Sequence, residues 1–179
     1  QNTAVGDRTM KTLTTGVLNV GMGYTSLDAN TSGSCNVGLG SSTLGANTTG
    51  NNNIAIGYAA LLRNTTANCN IAIGYNSLAS NLTGVANVAV GDQALNKNTT
   101  DNNTAVGKEA LYSTTSGDAN TALGTNAGYA NTTGARNVAI GVNALATNTT
   151  GADNVAVGHT SLNKNTTGAD NTVVGKCAA

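Results

Sequence analysis

The sequence predicts an all-β protein: a single parallel β-solenoid of about ten 17-residue coils that spans residues 1–179. Eleven copies of one motif recur along the chain, in the order Asn, any residue, a small residue, an aliphatic residue and Gly. Nine of the ten intervals between the motif glycines are 17 residues long, and one is 16. A period this short indicates one supersecondary unit that is coiled and stacked on itself. Because both ends fall inside a repeat, we expect the chain to be a fragment of a longer fibre protein.

Composition supports this class of fold. The chain has no Phe, Trp or Pro, so its stability must come from many small, repeated contacts. Charged residues make up 9%, against roughly 25% in typical soluble domains, and this low charge argues against disorder. The net charge is zero without a basic patch, which predicts no nucleic-acid partner. No run of 18 apolar residues occurs, and we therefore expect no membrane insertion.

Each repeat ends in a short alternating triplet, such as Val155, Ala156 and Val157. Two β-branched residues around one small residue are typical of a strand. We expect the branched residues to face the core together with a Leu four residues after each motif Gly. The predicted core comprises Ile56, Leu61, Ile73, Leu78, Val90, Leu95, Ile140 and Leu145.

The small residue of each triplet is then expected to point outward. Exposed strand faces normally carry larger polar residues, so a row of Ala suggests a surface against which other chains pack closely, around a three-fold axis. The alternative is that Ala relieves crowding at a bend. The predicted chain–chain contact comprises Ala55, Ala72, Ala89, Ala105, Ala122, Ala139 and Ala156.

Asn begins every strand and Gly follows it. Identical amides in stacked coils can hydrogen-bond along the axis, and Asn also tolerates the left-handed conformation of a corner. A second corner is predicted at N-T-T-G, where Gly would supply a positive φ. The predicted structural ladder comprises Asn36, Asn53, Asn70, Asn87, Asn120, Asn137, Asn154, Gly40, Gly57, Gly74, Gly91, Gly124, Gly141 and Gly158.

Irregular positions should show where the repeat is strained. The stretch Asn98–Asn103 lacks one corner residue, and Gly128 replaces a ladder Leu, so that Tyr129 is expected to turn inward. Cys35 and Cys69 lie two coils apart, roughly 10 Å, beyond the ~7 Å reach of a disulfide. We interpret them as free thiols that fill small spaces, with bridging between chains as the alternative.

No constellation of catalytic residues is visible. His159 is the only His and lacks a Ser–Asp partner pattern, and the spacing of a zinc site is absent. The stretch 38–45, GLGSSTLG, imitates a dinucleotide loop without its strand–helix context. Arg136 should attract Asp153 one coil later; a cation between Asp153 and Asp170 is the alternative. We predict no enzyme, no catalytic or metal-binding residue and no cofactor.

The motif N-V-A-I-G at Asn137–Gly141 resembles the head repeats of trimeric autotransporter adhesins. The longer unit at Asn53–Thr66, NIAIGYAALLRNTT, is similar to repeats of bacterial and phage tail-fibre-domain proteins. The resemblance implies a left-handed, homotrimeric β-roll. In the tail-fibre family, such repeats precede a C-terminal intramolecular chaperone that drives trimerisation.

These features together predict the structural shaft of an extracellular, cell-surface or virion fibre that supports attachment. Its expected partners are further copies of itself and a host receptor or glycan, bound by other parts of the fibre or by exposed tyrosines. Those tyrosines are Tyr58, Tyr75, Tyr112 and Tyr129. One alternative is an ice-binding solenoid that uses its Thr rows; another is a pectinase-like enzyme, which would need clustered carboxylates.

Overall fold

A computed structural model describes residues 1–179 as a parallel β-solenoid without helices. Eleven strands of three residues each recur at the repeat period. The strands are β1 (Thr3–Val5), β2 (Val20–Met22), β3 (Val37–Leu39), β4 (Ile54–Ile56), β5 (Ile71–Ile73), β6 (Val88–Val90), β7 (Thr104–Val106), β8 (Thr121–Leu123), β9 (Val138–Ile140), β10 (Val155–Val157) and β11 (Thr172–Val174).

All eleven strands form one parallel sheet in sequence order. Each residue pairs with its equivalent one coil later, as Val138 does with Val155. The 16-residue coil keeps this register, since Ala89 pairs with Ala105. The missing residue is therefore absorbed at the corner between β6 and β7, and equivalent side chains stack along one axis.

The prediction of which strand face lies inside was wrong. The central Ala residues of the triplets point into the solenoid, and Ala55, Ala89 and Ala156 are fully buried. The Ala row is thus part of the core and is not available to a second chain. The whole row is 0–2% exposed: Ala55, Ala72, Ala89, Ala105, Ala122, Ala139 and Ala156.

The flanking β-branched residues point outward instead. Ile56, Val90 and Ile140 are half-buried, and Ile73 is 36% exposed, so none of these four belongs to the core. The opposite wall of the core is the Leu row, in which Leu61, Leu78, Leu95 and Leu145 are at most 1% exposed.

The strand residues have this orientation because the interior of the coil, which we call its bore, is narrow. A Cβ added to Gly38 would lie 2.6 Å from the Ser26 hydroxyl oxygen, and one added to Gly21 would lie 2.7 Å from Thr9 Cγ2. The central strand position therefore holds Gly in these two coils and Ala in the others, except in the last strand, β11, where Val173 is only partly buried. Branched side chains are therefore left on the outside.

The bore is narrow because the chain turns sharply at non-glycine residues in the left-handed region. Three such positions recur in most coils, as at Ala59 (φ 54°), Leu61 (φ 51°) and Cys69 (φ 60°). The expected left-handed Asn is displaced by one residue. The ladder residue Asn70 does not have a positive φ, whereas Cys69 before it does.

Candidate functional site: the side-chain rows of the solenoid

The first row is the Asn ladder that begins the strands, and it holds the coils together from within. The backbone N–H and Nδ2 of Asn53 both donate to Asn36 Oδ1, at 3.0 and 3.1 Å. Asn53 Nδ2 also donates to the carbonyl oxygen of Ala67 in the next coil, at 2.9 Å. The Asn residues of the predicted ladder are 0–2% exposed, whereas its glycines are half-buried.

A second Asn ladder lines the core at the N-T-T corner, and sequence reasoning missed it. Asn64 Nδ2 donates to Asn47 Oδ1 at 2.8 Å and to the Ala67 carbonyl at 3.1 Å. Donors from both ladders therefore converge on one carbonyl oxygen. Recurrence of Asn at one repeat position was the signal that could have revealed this ladder. The ladder bonds join Asn30, Asn47, Asn64 and Asn81, and separately Asn131, Asn148 and Asn165; Asn98 holds the same repeat position but accepts from Asn103 Nδ2 instead.

The two glycine rows have different roles. The motif glycines Gly40, Gly57, Gly74, Gly91, Gly124, Gly141 and Gly158 have φ between 115° and 138°, which L side chains rarely adopt. The corner glycines, such as Gly151, lack a positive φ, contrary to the prediction. A Cβ on Gly151 would instead overlap the Gly168 carbonyl oxygen, so close approach of the coils requires glycine there.

The two coils that follow the 16-residue one carry further departures from the repeat. Thr114 interrupts the second Asn ladder, and its buried hydroxyl has no hydrogen-bond partner. Leu111 fills the space beside Gly128, since its Cδ2 lies 2.8 Å from the position of a Cβ there. Tyr129 does not turn inward as expected; it is 37% exposed and stacks on Tyr112.

The outward face of the sheet is an uncharged, mainly aliphatic surface that extends over all eleven strands. The first and third residues of strands β1–β11 form this face, which we call the sheet face. These 22 residues comprise 18 aliphatic side chains and four Thr, and none is charged. Met22 and Leu123 are 46% and 49% exposed. Solvated sheet faces usually carry polar side chains, so this face is a candidate interaction surface.

Exposed tyrosines form two stacks beside the strands and turns. The Tyr58 and Tyr75 rings are stacked with centroids 5.6 Å apart, and those of Tyr112 and Tyr129 are 5.4 Å apart. Lys97 Nζ lies 4.9 Å from the Tyr112 ring centroid. All four tyrosines are accessible at least in part, and Tyr58 and Tyr75 are about half exposed.

Charged side chains lie at the surface. Arg136 donates from Nε and from an Nη to the two carboxylate oxygens of Asp153, at 2.7 and 2.8 Å. The hydrogen bond from Arg136 lowers the pKa of Asp153, and the same bond raises the pKa of Arg136. Asp153 is thus engaged by a cationic side chain rather than left to share a cation with Asp170.

The structure does not bring the candidate catalytic, cofactor-binding and thiol residues together into one site. His159 is exposed and neighbours Thr160, while Gly38 of the stretch 38–45 lies buried in β3. The thiols of Cys35, Cys69 and Cys177 are free, as expected, but exposed rather than filling internal spaces. No group of three His, Cys, Asp or Glu side chains is placed to hold a metal ion. The structure contains no helix with the length and apolarity needed to cross a bilayer.

No family model, curated protein or solved structure matches the chain.

Proposed function

We propose that this solenoid is the structural shaft of an extracellular, cell-surface or virion fibre, assembled as a left-handed homotrimer that supports attachment. The observation that carries the proposal is the uncharged sheet face, which runs the length of the described chain. A second copy of the same chain presents the same period, so two faces can stay in register over every coil. No catalytic chemistry is part of the proposal.

The mechanical part of the proposal rests on the internal ladders. Each coil contributes about 4.8 Å of length, so ten intervals give a rod of roughly 48 Å. Hydrogen bonds of both Asn ladders run along this axis, in the direction in which a shaft bears load. Length then scales with the number of repeats, as a spacer requires.

The partner surface in this proposal replaces the one expected from sequence. The Ala row is buried, whereas Val138 and Val155 of the sheet face lie outside. Burial of such aliphatic side chains between chains contributes about 25 cal/mol per Å² of apolar area. The burial pattern that excludes the Ala row thus supports the sheet face as the surface of association.

Sedimentation analysis of three proteins tests this assembly. The unmodified chain should sediment as a trimer, and a variant with Val138→Lys and Val155→Lys should sediment as a monomer. A matched control with Thr133→Lys and Thr150→Lys, at the exposed N-T-T corner, should remain trimeric. Negative-stain microscopy should show thin rods. A monomeric unmodified chain, or a trimeric sheet-face variant, would reject the proposed assembly.

Ice binding is the second candidate, and one row of residues favours it. The second Thr or Ser of the N-T-T corner is exposed in most coils, as at Thr49, Thr66 and Thr133, with no hydrogen bond from its hydroxyl to the protein. Against this, the row lies in a bend and not on the flat strand face. A thermal-hysteresis assay decides, since absence of hysteresis rejects ice binding.

A further inference from the structure

Backbone hydrogen bonds normally join the N-T-T corners of neighbouring coils. The N–H groups of Thr48 and Thr49 both donate to the Thr65 carbonyl oxygen, at 2.8 and 3.2 Å. The Thr48 hydroxyl donates to the same oxygen at 3.0 Å. The first residue after the corner Asn makes such a backbone bond wherever another corner follows, except at Leu82 and Thr99. Two consecutive corners therefore break the pattern.

One interval between coils has no corner bonds at all. Residues 81–83 and 98–100 lie at the same corner of consecutive coils, and the two segments share no hydrogen bond; we call the space between them the seam. The N–H groups of Leu82 and Thr83 have no acceptor in the chain. Leu82 also replaces the Thr whose hydroxyl would reach the next coil, and it is 45% exposed. Because segment 98–100 belongs to the 16-residue coil, its shortened corner brings no carbonyl within reach of segment 81–83.

The inner side of the seam is unbonded as well. Asn81 Nδ2 donates back to Asn64 Oδ1 at 3.4 Å, but no ladder bond joins Asn98 to Asn81. The Asn98 amide is engaged within its own coil: its Oδ1 accepts from Asn103 Nδ2 at 3.1 Å, and its Nδ2 donates to the Thr100 carbonyl at 2.8 Å. The second Asn ladder and the backbone bonds are thus lost at the same interval.

The same two coils remain bonded on either side of the seam. The Ser80 N–H donates to the Asn96 carbonyl at 3.0 Å, just before the corner. After the corner, the Asn103 N–H donates to Asn87 Oδ1 at 2.9 Å, and strands β6 and β7 pair in register. The loss of hydrogen bonds is therefore confined to one corner of one interval.

We propose that the solenoid bends at the seam, where the corner opens and closes while β6 and β7 stay paired as the pivot. A rod that lacks bonds at one corner of one interval opens there at lower cost than anywhere else along its length. The residues before the seam and those after it then move as two stiff segments. This hinge is a property of the single chain and does not depend on its role as a shaft.

Spin-label distances across the seam test the hinge. Nitroxides at Thr49→Cys and Ser116→Cys lie on the exposed corner, four coil intervals or roughly 19 Å apart, and span the seam. The control pair Thr15→Cys and Thr83→Cys has the same separation and ends before the seam. The three native cysteines are replaced by Ser, and labelled chains are diluted with unlabelled ones so that only distances within one chain are measured. The distance distribution of the seam pair should be at least twice as broad as that of the control pair.

A repaired corner is the matched variant. Insertion of one Gly after Thr100, combined with Leu82→Thr, restores the spacing N-T-T-G-x-x-N of a regular coil and the missing hydroxyl. The distribution of the seam pair should then narrow to the width of the control pair. Equal widths for the two pairs before repair, or no narrowing after it, would overturn the proposal.

Hydrogen exchange of the unmodified chain tests the hinge even if the repaired variant does not fold. Ser80 and Ala46 hold the same repeat position, both are half-buried, and their N–H groups donate to the next coil at 3.0 and 3.1 Å. A static gap leaves the two amides equally protected, whereas opening at the seam exposes Ser80 first. We expect the protection factor of Ser80 to be at least tenfold below that of Ala46. Equal protection of the two amides would also reject the hinge.

Discussion

Asn154 is joined to Asn137, one coil earlier, through a single oxygen atom. The backbone N–H of Asn154 donates to Asn137 Oδ1 at 3.0 Å, and Asn154 Nδ2 donates to the same oxygen at 3.1 Å. Asn137 Nδ2 in turn donates to the Gly151 carbonyl at 2.8 Å. One side chain thus satisfies backbone groups on both sides of a corner, and all three bonds are buried.

Replacement of Asn137 by Ala should therefore be costly. The change leaves the Asn154 N–H without a partner inside the core, where an unsatisfied polar group costs about 1–3 kcal/mol. The Gly151 carbonyl loses one of its two bonds and keeps the one from Asn148 Nδ2. We expect Asn137→Ala to lower the free energy of unfolding by roughly 2–4 kcal/mol in a denaturant titration. Thr133→Ala, at an exposed hydroxyl, should change it by less than about 0.5 kcal/mol. Similar losses for the two variants would contradict the ladder's role.

A ladder Asn in place of Thr114 should stabilise the coil that follows the 16-residue one. Thr114 stands between Asn98 and Asn131, and its hydroxyl is buried without a partner. In Thr114→Asn the new amide oxygen can accept from Asn131 Nδ2, which now donates only to Gly134. We expect a gain of about 1 kcal/mol in unfolding free energy, the net value of a typical hydrogen bond.

Thr114→Val separates the two possible sources of such a gain. This variant removes the orphan hydroxyl with little change in shape but adds no amide. If it stabilises the chain as much as Thr114→Asn does, relief of the unpaired hydroxyl explains the effect, and completion of the ladder does not.

Because the Ala row is buried, substitution of a central Ala should lower the stability of the chain more than substitution of the strand residue beside it. Ala139→Val places two extra methyl groups in a narrow core and should destabilise the chain by about 1–3 kcal/mol. Val138→Ala trims a half-buried outer side chain and should cost less than the core change. Melting temperatures of the two variants, compared in dilute solution, test this order. A larger loss for Val138→Ala would restore the assignment expected from sequence.

The ion pair of Arg136 and Asp153 predicts a pH response. Because Arg136 lowers the pKa of Asp153, the pair's contribution is present above the ordinary Asp pKa of about 3.9 and is lost as pH falls through the lowered value. In an NMR titration, the Asp153 carboxyl should titrate below the ordinary Asp pKa. Arg136→Gln should raise the pKa of Asp153, and unchanged titration of Asp153 in this variant would refute the coupling.

The stacking of coils was predictable from sequence because a fixed repeat leaves few other folds. Which face of each strand points into the solenoid was not predictable. A triplet such as Val155–Val157 alternates equally well in both orientations, and the choice depends on the bore of the coil. That bore is set by left-handed residues such as Leu61 and Cys69, whose types do not mark such a conformation.

Small residues at other inward positions were the available signal. Ala60 and Ala67 are buried at the turn and at the corner, as their equivalents are in most coils. The row of Ala in the strands and the small residues at the turn and the corner together indicate a narrow interior. Leu and Asn are the only larger side chains that recur in it. The apolar surface outside follows from the same limit, and sequence reasoning assigned it to the core.

The corner at Asn98–Asn103 loses a residue without any shift in strand pairing. The Asn103 N–H still reaches Asn87 Oδ1 at 2.9 Å, and Asn103 Nδ2 gains a bond to Asn98 Oδ1 at 3.1 Å. A one-residue deletion at this corner thus leaves the pairing of the strands unchanged. This corner is therefore the place in the repeat at which a foreign peptide could be inserted. The pairing of the strands should then remain as it is.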